Sequence, residues 1–315
     1  MRRIGVIMDP VEHISTKKDS TFAMMLEAQR RGWQIWYMQQ SDLRLESGRV
    51  SARASVITVH DDSSDWFRLE PAASIPLGQL DAILMRKDPP VDANYIYCTQ
   101  LLDIAARDGC LVVNRPAALR DLNEKLAVAL FPELAPDTLV GYHRGDFRDF
   151  TMKHRDIILK PLDGMGGHSI FRARHDDPNL NVIIETLTDK GRKPAMAQAF
   201  IPAIQDGDKR VLLVDGEPVE YALARIPAKG ETRGNIAAGG ATRAQPLTQS
   251  DRRIAHVLGP FLKDQGVLFA GIDIIGDYLT EINVTSPTCI RELDQAFDIN
   301  IAGRLFDGIE ARIGA

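Results

Sequence analysis

The stretch Gly271-Ile272-Asp273-Ile274-Ile275-Gly276-Asp277-Tyr278-Leu279-Thr280-Glu281-Ile282-Asn283-Val284-Thr285-Ser286-Pro287 reads as two strands, 269–275 and 278–283, meeting at a tight Gly-Asp turn. Glu281 and Asn283 are two apart, so strand alternation sends both side chains to one face. Asp273 reaches that face from the partner strand. Three oxygen ligands with room left for water and phosphate oxygens are what Mg²⁺ requires. Ile272, Ile274, Ile282 and Val284 make the rest of the hairpin a buried one.

Upstream, Ile157-Ile158-Leu159-Lys160-Pro161-Leu162-Asp163-Gly164-Met165-Gly166-Gly167-His168-Ser169 is a strand that ends in a lysine and opens into a glycine-rich loop. Glycines let backbone N–H groups converge on an anion, and the lysine adds a point charge. No G-K-[ST] follows and no long helix starts there, which excludes a Walker loop and a dinucleotide fingerprint. Between the two motifs, residues 225–240 form a Gly/Ala-rich segment carrying Arg225 and Arg233. A loop of that length with little to pack suits a lid that keeps water from a hydrolysable intermediate. Asp208-Lys209-Arg210 and Arg225 put basic groups on strands with apolar neighbours, where arginine holds carboxylate or phosphate bidentately.

The first 120 residues alternate strand and helix: strands at 4–8, 34–38, 82–85 and 111–114, helices at 20–31 and 94–107. This rhythm predicts a parallel sheet covered by helices, with residues 42–80 as a polar, irregular surface excursion. Residues 116–136 read as helical and Pro-bracketed, a hinge. Strands at 157–160, 170–172 and 195–200 around a helix at 180–188 then form an α+β unit. Strands at 210–214 and 219–226 flank the turn signal Asp215-Gly216-Glu217, and helices are expected at 250–264 and 299–313. The 315 residues carry 38 basic and 43 acidic groups, a net charge of −5, with no basic excess of the kind nucleic acid demands. The N-terminal apolar run is too short for a signal peptide or a membrane span. Three widely spaced cysteines, Cys98, Cys110 and Cys289, fit a reducing cytoplasm.

Taken together these segments resemble the ATP-grasp superfamily, and within it the bacterial glutathione synthetases. The resemblance rests on Met8-Asp9-Pro10, Lys17-Lys18-Asp19-Ser20, Arg86-Lys87-Asp88-Pro89-Pro90, Asn123-Glu124-Lys125, the glycine loop above, Asp206-Gly207-Asp208-Lys209-Arg210, Gly230-Glu231-Thr232-Arg233-Gly234-Asn235 and the string 279–288. It covers nearly the whole chain. It implies an ATP-grasp fold preceded by an N-terminal parallel α/β domain: residues 1–122 as the substrate domain, 123–202 as the central lid domain, and 203–315 as the C-terminal domain with the metal site and a mobile loop at 227–242.

The reaction implied is ligation of γ-glutamylcysteine with glycine, driven by ATP through an acyl phosphate. Lys125 and Lys160 would hold the phosphates, capped by Gly164, Met165, Gly166 and Gly167. Gln198, Ala199, Phe200 and Ile201 would line adenine mainly through backbone groups, with Asp208 close to the nucleotide. Asp273, Glu281 and Asn283 would carry Mg²⁺, with Mn²⁺ as an alternative. Lys18, Asp19, Ser20, Arg86, Ser286, Pro287 and Thr288 would seat the dipeptide, and Arg210, Arg225 and Arg233 would neutralise charge during phosphoryl transfer. The resemblance further implies a cytoplasmic homotetramer without nucleic-acid or membrane partners. One departure stands out: the family loop often has an arginine directly after Gly239-Gly240, whereas here Ala241 and Thr242 precede Arg243. That bears on contacts at the far end of the lid. The alternatives are another ATP-grasp carboxylate–amine ligase, which the segments 17–20 and 86–90 disfavour, and a non-catalytic ATP-binding scaffold, which would not need the acids and arginines retained here.

Overall fold

The computed structural model describes residues 1–164, 166–228 and 240–314. The N-terminal sheet begins with β1 (Arg3–Ile7), crosses through α1 (Ser20–Arg30) to β2 (Gln34–Met38), and later adds β7 (Ala82–Met85), α2 (Ala93–Arg107) and β8 (Leu111–Val113). The pairings β2–β1, β1–β7 and β7–β8 are all parallel, as the βα rhythm requires. Local chemistry sets the helix ends: Asp19 and Asp92 cap α1 and α2 by accepting from the backbone N–H of Phe22 and Tyr95. Gly32 and Gly109 follow them with φ of 74° and 101°.

The stretch 42–80 is not an irregular excursion. It holds β3 (Leu43–Glu46), β4 (Arg49–Val59), β5 (Phe67–Leu69) and β6 (Ala73–Pro76), which extend the sheet in antiparallel fashion from β2. The reason is alternation in β4, where Val50, Ala52 and Ala54 are buried at a period of two that Ile57 and Val59 resume after a one-residue change of phase. Alanines alternating with serine and arginine disguise it. The expected hinge at 116–136 contains only a short helix, α3 (Pro116–Asp121), and a 3-10 turn at Leu126–Leu130.

The central sheet runs β11-β10-β12-β9, all antiparallel. Its elements are β9 (Thr138–Gly141), α4 (Arg144–His154), β10 (Asp156–Pro161), β11 (Phe171–Arg174), α5 (Leu180–Leu187) and β12 (Ala195–Ala199). Neither β9 nor α4 is visible in the apolar pattern, since α4 buries only Phe147 and Thr151.

The C-terminal sheet runs β15-β14-β13-β16-β17, built from β13 (Asp208–Val214), β14 (Glu217–Ile226), β15 (Ala241–Pro246), β16 (Phe269–Ile275) and β17 (Tyr278–Asn283). The last two have the bounds expected from sequence. β15 starts at Ala241, so the last two positions of the expected loop 227–242 are strand, while residues 229–239 lie outside the described residues. Three helices complete the chain: α6 (Gln249–Asp264), α7 (Ile290–Phe297) and α8 (Ile301–Ile313). Where α6 crosses the β13–β14 turn, Gly216 and Gly259 touch backbone to backbone. A Cβ on Gly259 would lie 2.1 Å from the Gly216 carbonyl oxygen.

The N- and C-terminal sheets share their apolar cores. One cluster joins Ile7, Met38 and Ile83 to Val211, Ile254 and Ile272. Another joins Val6, Phe22 and Trp33 to Leu212, Leu305 and Phe306, with Trp33 edge-on to Phe306 at 5.4 Å. Asn114 clasps the two sheets. Its Nδ2 donates to the carbonyls of Phe269 and Val284, each at 2.7 Å, and its Oδ1 accepts from the N–H of Leu268 and Phe269 at 2.8 and 3.0 Å. The central sheet keeps a separate core around Phe147, Ile157, Leu159 and Ile184.

Candidate active site

Between the central and C-terminal sheets lies a cleft of about 320 Å³. Strand alternation decides what faces it. On β10, Ile157 and Leu159 turn into the central core while Ile158 and Lys160 turn to the cleft; on β12, Ala195 and Ala197 turn inward and Gln198 outward. Antiparallel register aligns the opposite wall. Arg210 on β13 pairs with Asp273 on β16, which pairs in turn with Glu281 on β17, and Asp208 pairs with Arg225 on β14. Gly271 makes room for this row, since a Cβ there would meet Arg210 Cδ at 2.8 Å and Pro287 Cβ at 2.9 Å.

The C-terminal wall carries opposite charges already engaged with one another. Asp273, 2% exposed, accepts from Arg210 Nε and Nη2 at 2.5 and 2.9 Å. Arg225 Nη2 lies 2.9 Å from Asp273 and 2.5 Å from Asp208. Burial pushes the Asp273 carboxyl up, but the two guanidiniums outweigh it and hold the group well below the ordinary carboxylate range. Asp208 has less compensation. Burial pushes it up to about 7 against the pull of Arg225, and its Oδ1 is buried without a partner among the described residues. Lys125 contacts Glu124, donates to the Gly164 carbonyl at 2.5 Å, and stands 3.8 Å from Glu281. Lys160, with burial lowering its pKa, stands 3.9 Å from the same carboxylate. Gly166 and Gly167 take φ of 67° and 74°, left-handed backbone that glycine adopts freely, and they line the cleft beside Gly164.

Asp273, Glu281 and Asn283 supply two carboxylates and an amide. Asn283 Nδ2 lies 3.4 Å from Asp273 Oδ2, which leaves its carbonyl oxygen for a cation. Among the described residues no three His, Cys, Asp or Glu side chains converge on one point. This donor set fits Mg²⁺, which keeps several waters and is held by one or two carboxylates together with substrate phosphates rather than by a protein cage.

The cleft brings together Lys125, Lys160, Gly164, Gly166, Gly167, Gln198, Ala199, Phe200, Ile201, Asp208, Arg210, Arg225, Asp273, Glu281, Asn283, Ser286, Pro287 and Thr288. Met165 and Arg233 lie outside the described residues. Lys18, Asp19, Ser20 and Arg86 are not on its wall among the described residues. Asp19 caps α1, and Ser20 Oγ accepts from the N–H of Ile290 at 3.1 Å. Arg86, 6% exposed, donates to Thr21 Oγ1 at 3.1 Å and to the Pro287 carbonyl at 2.9 Å, with its guanidinium 5.7 Å from the Phe269 ring. Through Pro287, Arg86 braces the wall from behind.

Two acids on the wall went unassigned in the sequence. Asp88, whose N–H donates to Asp9, accepts from Ser286 Oγ at 2.5 Å. Glu124 is the partner of Lys125. Both stand inside quoted motifs, Arg86-Lys87-Asp88-Pro89-Pro90 and Asn123-Glu124-Lys125, so adjacency to a ligand lysine or arginine was the signal available.

Known proteins resemble the chain over nearly its whole length. The model of the prokaryotic glutathione synthetase N-terminal domain matches residues 2–120, and that of the ATP-grasp domain matches residues 124–298. The chain is 56% identical to a glutathione synthetase of Vibrio vulnificus strain CMCP6 over 315 residues, covering 100% of this chain and 99% of the relative. It is 57% identical to one of Pseudomonas putida strain KT2440 over 313 residues, covering 99% of each. Among solved structures it resembles the ATP-grasp ligase PsnB complexed with minimal precursor, Mg and ADP, with a TM-score of 0.63 at 15% identity over 99% of this chain and 98% of the other. D-cycloserine synthetase DcsG gives 0.66 at 13% identity, covering 99% of both. The distant structures establish the fold, the family models and full-length relatives go further, and the chain belongs to the prokaryotic glutathione synthetase family.

Proposed function

We propose that the cleft activates the cysteinyl carboxylate of γ-glutamylcysteine as an acyl phosphate at the expense of ATP and passes it to glycine. As a family member the chain is an ATP-dependent ligase. The observation that carries the assignment of roles is the double row of buried charges. Lys125 and Lys160 flank Glu281 on one side, while Arg210 and Arg225 hold Asp273 on the other. A bound nucleotide would take over the lysines through its phosphates, helped by the backbone of Gly164, Gly166 and Gly167. Asp273, Glu281 and Asn283 would hold Mg²⁺, which supplies charge neutralisation between the phosphates. Freed in part from Asp273, Arg210 and Arg225 are positioned to stabilise the transferring phosphoryl group, a role made of positioning and electrostatics without an enzyme nucleophile.

The apolar end of the cleft, with Ala199, Phe200 and Ile201, suits adenine, and Asp208 lies where it can meet the nucleotide. Ser286, Pro287 and Thr288 would contact the dipeptide directly. Arg86 would act through the Pro287 carbonyl, and Lys18, Asp19 and Ser20 from the layer behind. Residues 1–122, 123–202 and 203–315 would be the working units, assembled as a cytoplasmic homotetramer. No helix among the described residues is long and apolar enough to cross a membrane.

The test is ADP release with Mg²⁺, ATP and γ-glutamylcysteine, with and without glycine, and the product identified by mass. Glycine-dependent ADP with the mass of glutathione is the expected result. Tight ATP binding without turnover would sink the ligase reading in favour of a scaffold.

A further inference from the structure

Asp273, Glu281 and Asn283 are not equally ready to receive a cation. Glu281 accepts no hydrogen bond among the described residues, and its nearest cations, Lys125 and Lys160, stand 3.8 and 3.9 Å away. Asn283 turns its amide nitrogen toward Asp273 and keeps its carbonyl oxygen free. Asp273 is engaged on both oxygens. Its Oδ1 accepts from Arg210 Nε at 2.5 Å, while its Oδ2 lies 2.9 Å from both Arg210 Nη2 and Arg225 Nη2. A carboxylate offers about four lone-pair positions, and three here face guanidinium N–H groups. The hold is packed as well as charged. Arg210 is 7% exposed and lies so close to Gly271 that a Cβ there would meet its Cδ at 2.8 Å. Arg225 is shared, since the same Nη2 lies 2.5 Å from Asp208 Oδ2. It therefore keeps a partner on leaving Asp273, whereas Arg210 has no second carboxylate partner among the described residues.

We propose that Arg210 and Arg225 latch the metal site through Asp273. A divalent cation then binds weakly on its own, and the two arginines are released to a phosphoryl group only when the cation arrives with the nucleotide. Cation and guanidiniums compete for one carboxylate, and the guanidiniums hold it by charge-assisted hydrogen bonds in a nearly dry place. Nucleotide phosphates tip the balance, because they give the cation further oxygens and the displaced guanidiniums a new anion. By linkage, whatever tightens cation binding loosens the hold of the arginines by the same factor. The latch rests on the metal and nucleotide reading of the cleft and adds an order of assembly to it.

The experiment follows free Mn²⁺, a paramagnetic stand-in for Mg²⁺, by electron paramagnetic resonance. The unaltered protein, Arg210→Lys, Arg210→Met and Arg225→Met are titrated with and without ADP, with the Mn²⁺–ADP complex measured apart from protein and subtracted. The unaltered protein should bind Mn²⁺ about 30-fold or more weakly without ADP than with it. Each Met variant should raise the affinity for Mn²⁺ alone by about tenfold, the worth of a charge-assisted hydrogen bond. Arg210→Lys keeps the charge but loses the two-pronged hold, and should raise it about threefold. A long-range field without a latch would leave Arg210→Lys like the unaltered protein while the Met variants rise, and that pattern overturns the proposal. So does Mn²⁺ binding that no substitution tightens, or that is as strong without ADP as with it in the unaltered protein. Absence of Mn²⁺ binding with ADP in every protein overturns the metal reading of the cleft together with the latch, and is distinguishable on that ground. Should the Met variants fold poorly, Arg210→Lys decides alone.

Discussion

The body formed by the N- and C-terminal sheets and the unit built on the central sheet are held together by different means. In the body, apolar clusters run continuously from one sheet to the other and Asn114 ties β16 to the end of β8 through four hydrogen bonds. The central unit has its own small core. It meets the body through polar contacts such as Asn123 Nδ2 to the Leu162 carbonyl at 3.1 Å, Lys125 to Gly164, and Lys160 to Glu281. The nucleotide cleft follows the seam between them. Apolar cores transmit strain and resist opening, whereas a polar seam exchanges its partners for ligand and water at little cost. A site that must admit and release phosphates is therefore placed where the chain invested least in packing.

The largest effects should come from the two faces of that seam. Asp273→Asn on the body side removes a proposed metal ligand and strips two buried guanidiniums of their shared anion. Glutathione formation should fall about 10³-fold or more. The fold should also lose about 3–5 kcal/mol, because uncompensated buried charge is left behind. Lys160→Met on the central side should cost about 10²-fold in turnover yet leave thermal stability unchanged or slightly raised. Its ammonium is buried with its nearest carboxylate at 3.9 Å, so little is lost with it. Turnover and melting temperature measured side by side check the pair. Equal destabilisation by both would erase the asymmetry between body and central unit.

A second contrast asks whether the two regions unfold together. Asn114→Leu leaves two carbonyls and two N–H groups buried and unpaired, a cost of about 4 kcal/mol after partial relaxation. Phe147→Ala empties the centre of the small core for about 3–5 kcal/mol. Native-state hydrogen exchange should show protection lost across β1, β13 and β16 in the first variant. In the second it should be lost across β10 and β12 alone, since regions with separate cores open separately. A uniform loss in either variant would mean one cooperative unit and no distinct seam.

How far the sequence could carry this division is instructive. The bounds of the hairpin β16–β17 were legible to the residue from its isoleucines and Gly-Asp turn, but the pairing of Asp273 with Glu281 depends on a register shift between Asp273 and Ile274 that the sequence does not announce. The parallel strands and the glycine loop were legible for the same local reason. β4 was not, because its inward positions include alanines set among serine and arginine. Nor was α4, which buries too few residues to show a periodic face. Asn114 carries no local signal at all; its importance arises from two sheets meeting around it. Arg86 shows the limit most plainly. A charge just past a strand end is visible in the sequence, but only tertiary packing turns it under Pro287 instead of into the cleft.

The smallest effect concerns a place where the body's packing works against itself. Asp294 sits on α7 with its carboxylate accepting from the N–H of Ile301 at 3.0 Å, which ties α7 to the start of α8. Burial pushes its carboxyl up to about 6, more than that hydrogen bond and the nearby Arg291 pull it down. The folded protein therefore holds this proton more tightly than the unfolded chain. Stability from this group is greatest below the ordinary value of 3.8 and is lost as pH rises through about 6. Asn keeps an acceptor for Ile301 without the charge. Asp294→Asn should be more stable than the unaltered protein by about 1 kcal/mol at pH 8, once the shift is discounted for partial exposure. The advantage should vanish near pH 3, where the aspartate is neutral in the folded state and largely so in the unfolded chain. Denaturant midpoints of both proteins at the two pH values check this. A pH-independent difference would mean that Asp294 is no burden on the body, and that the tight packing of α7 and α8 is free of electrostatic cost.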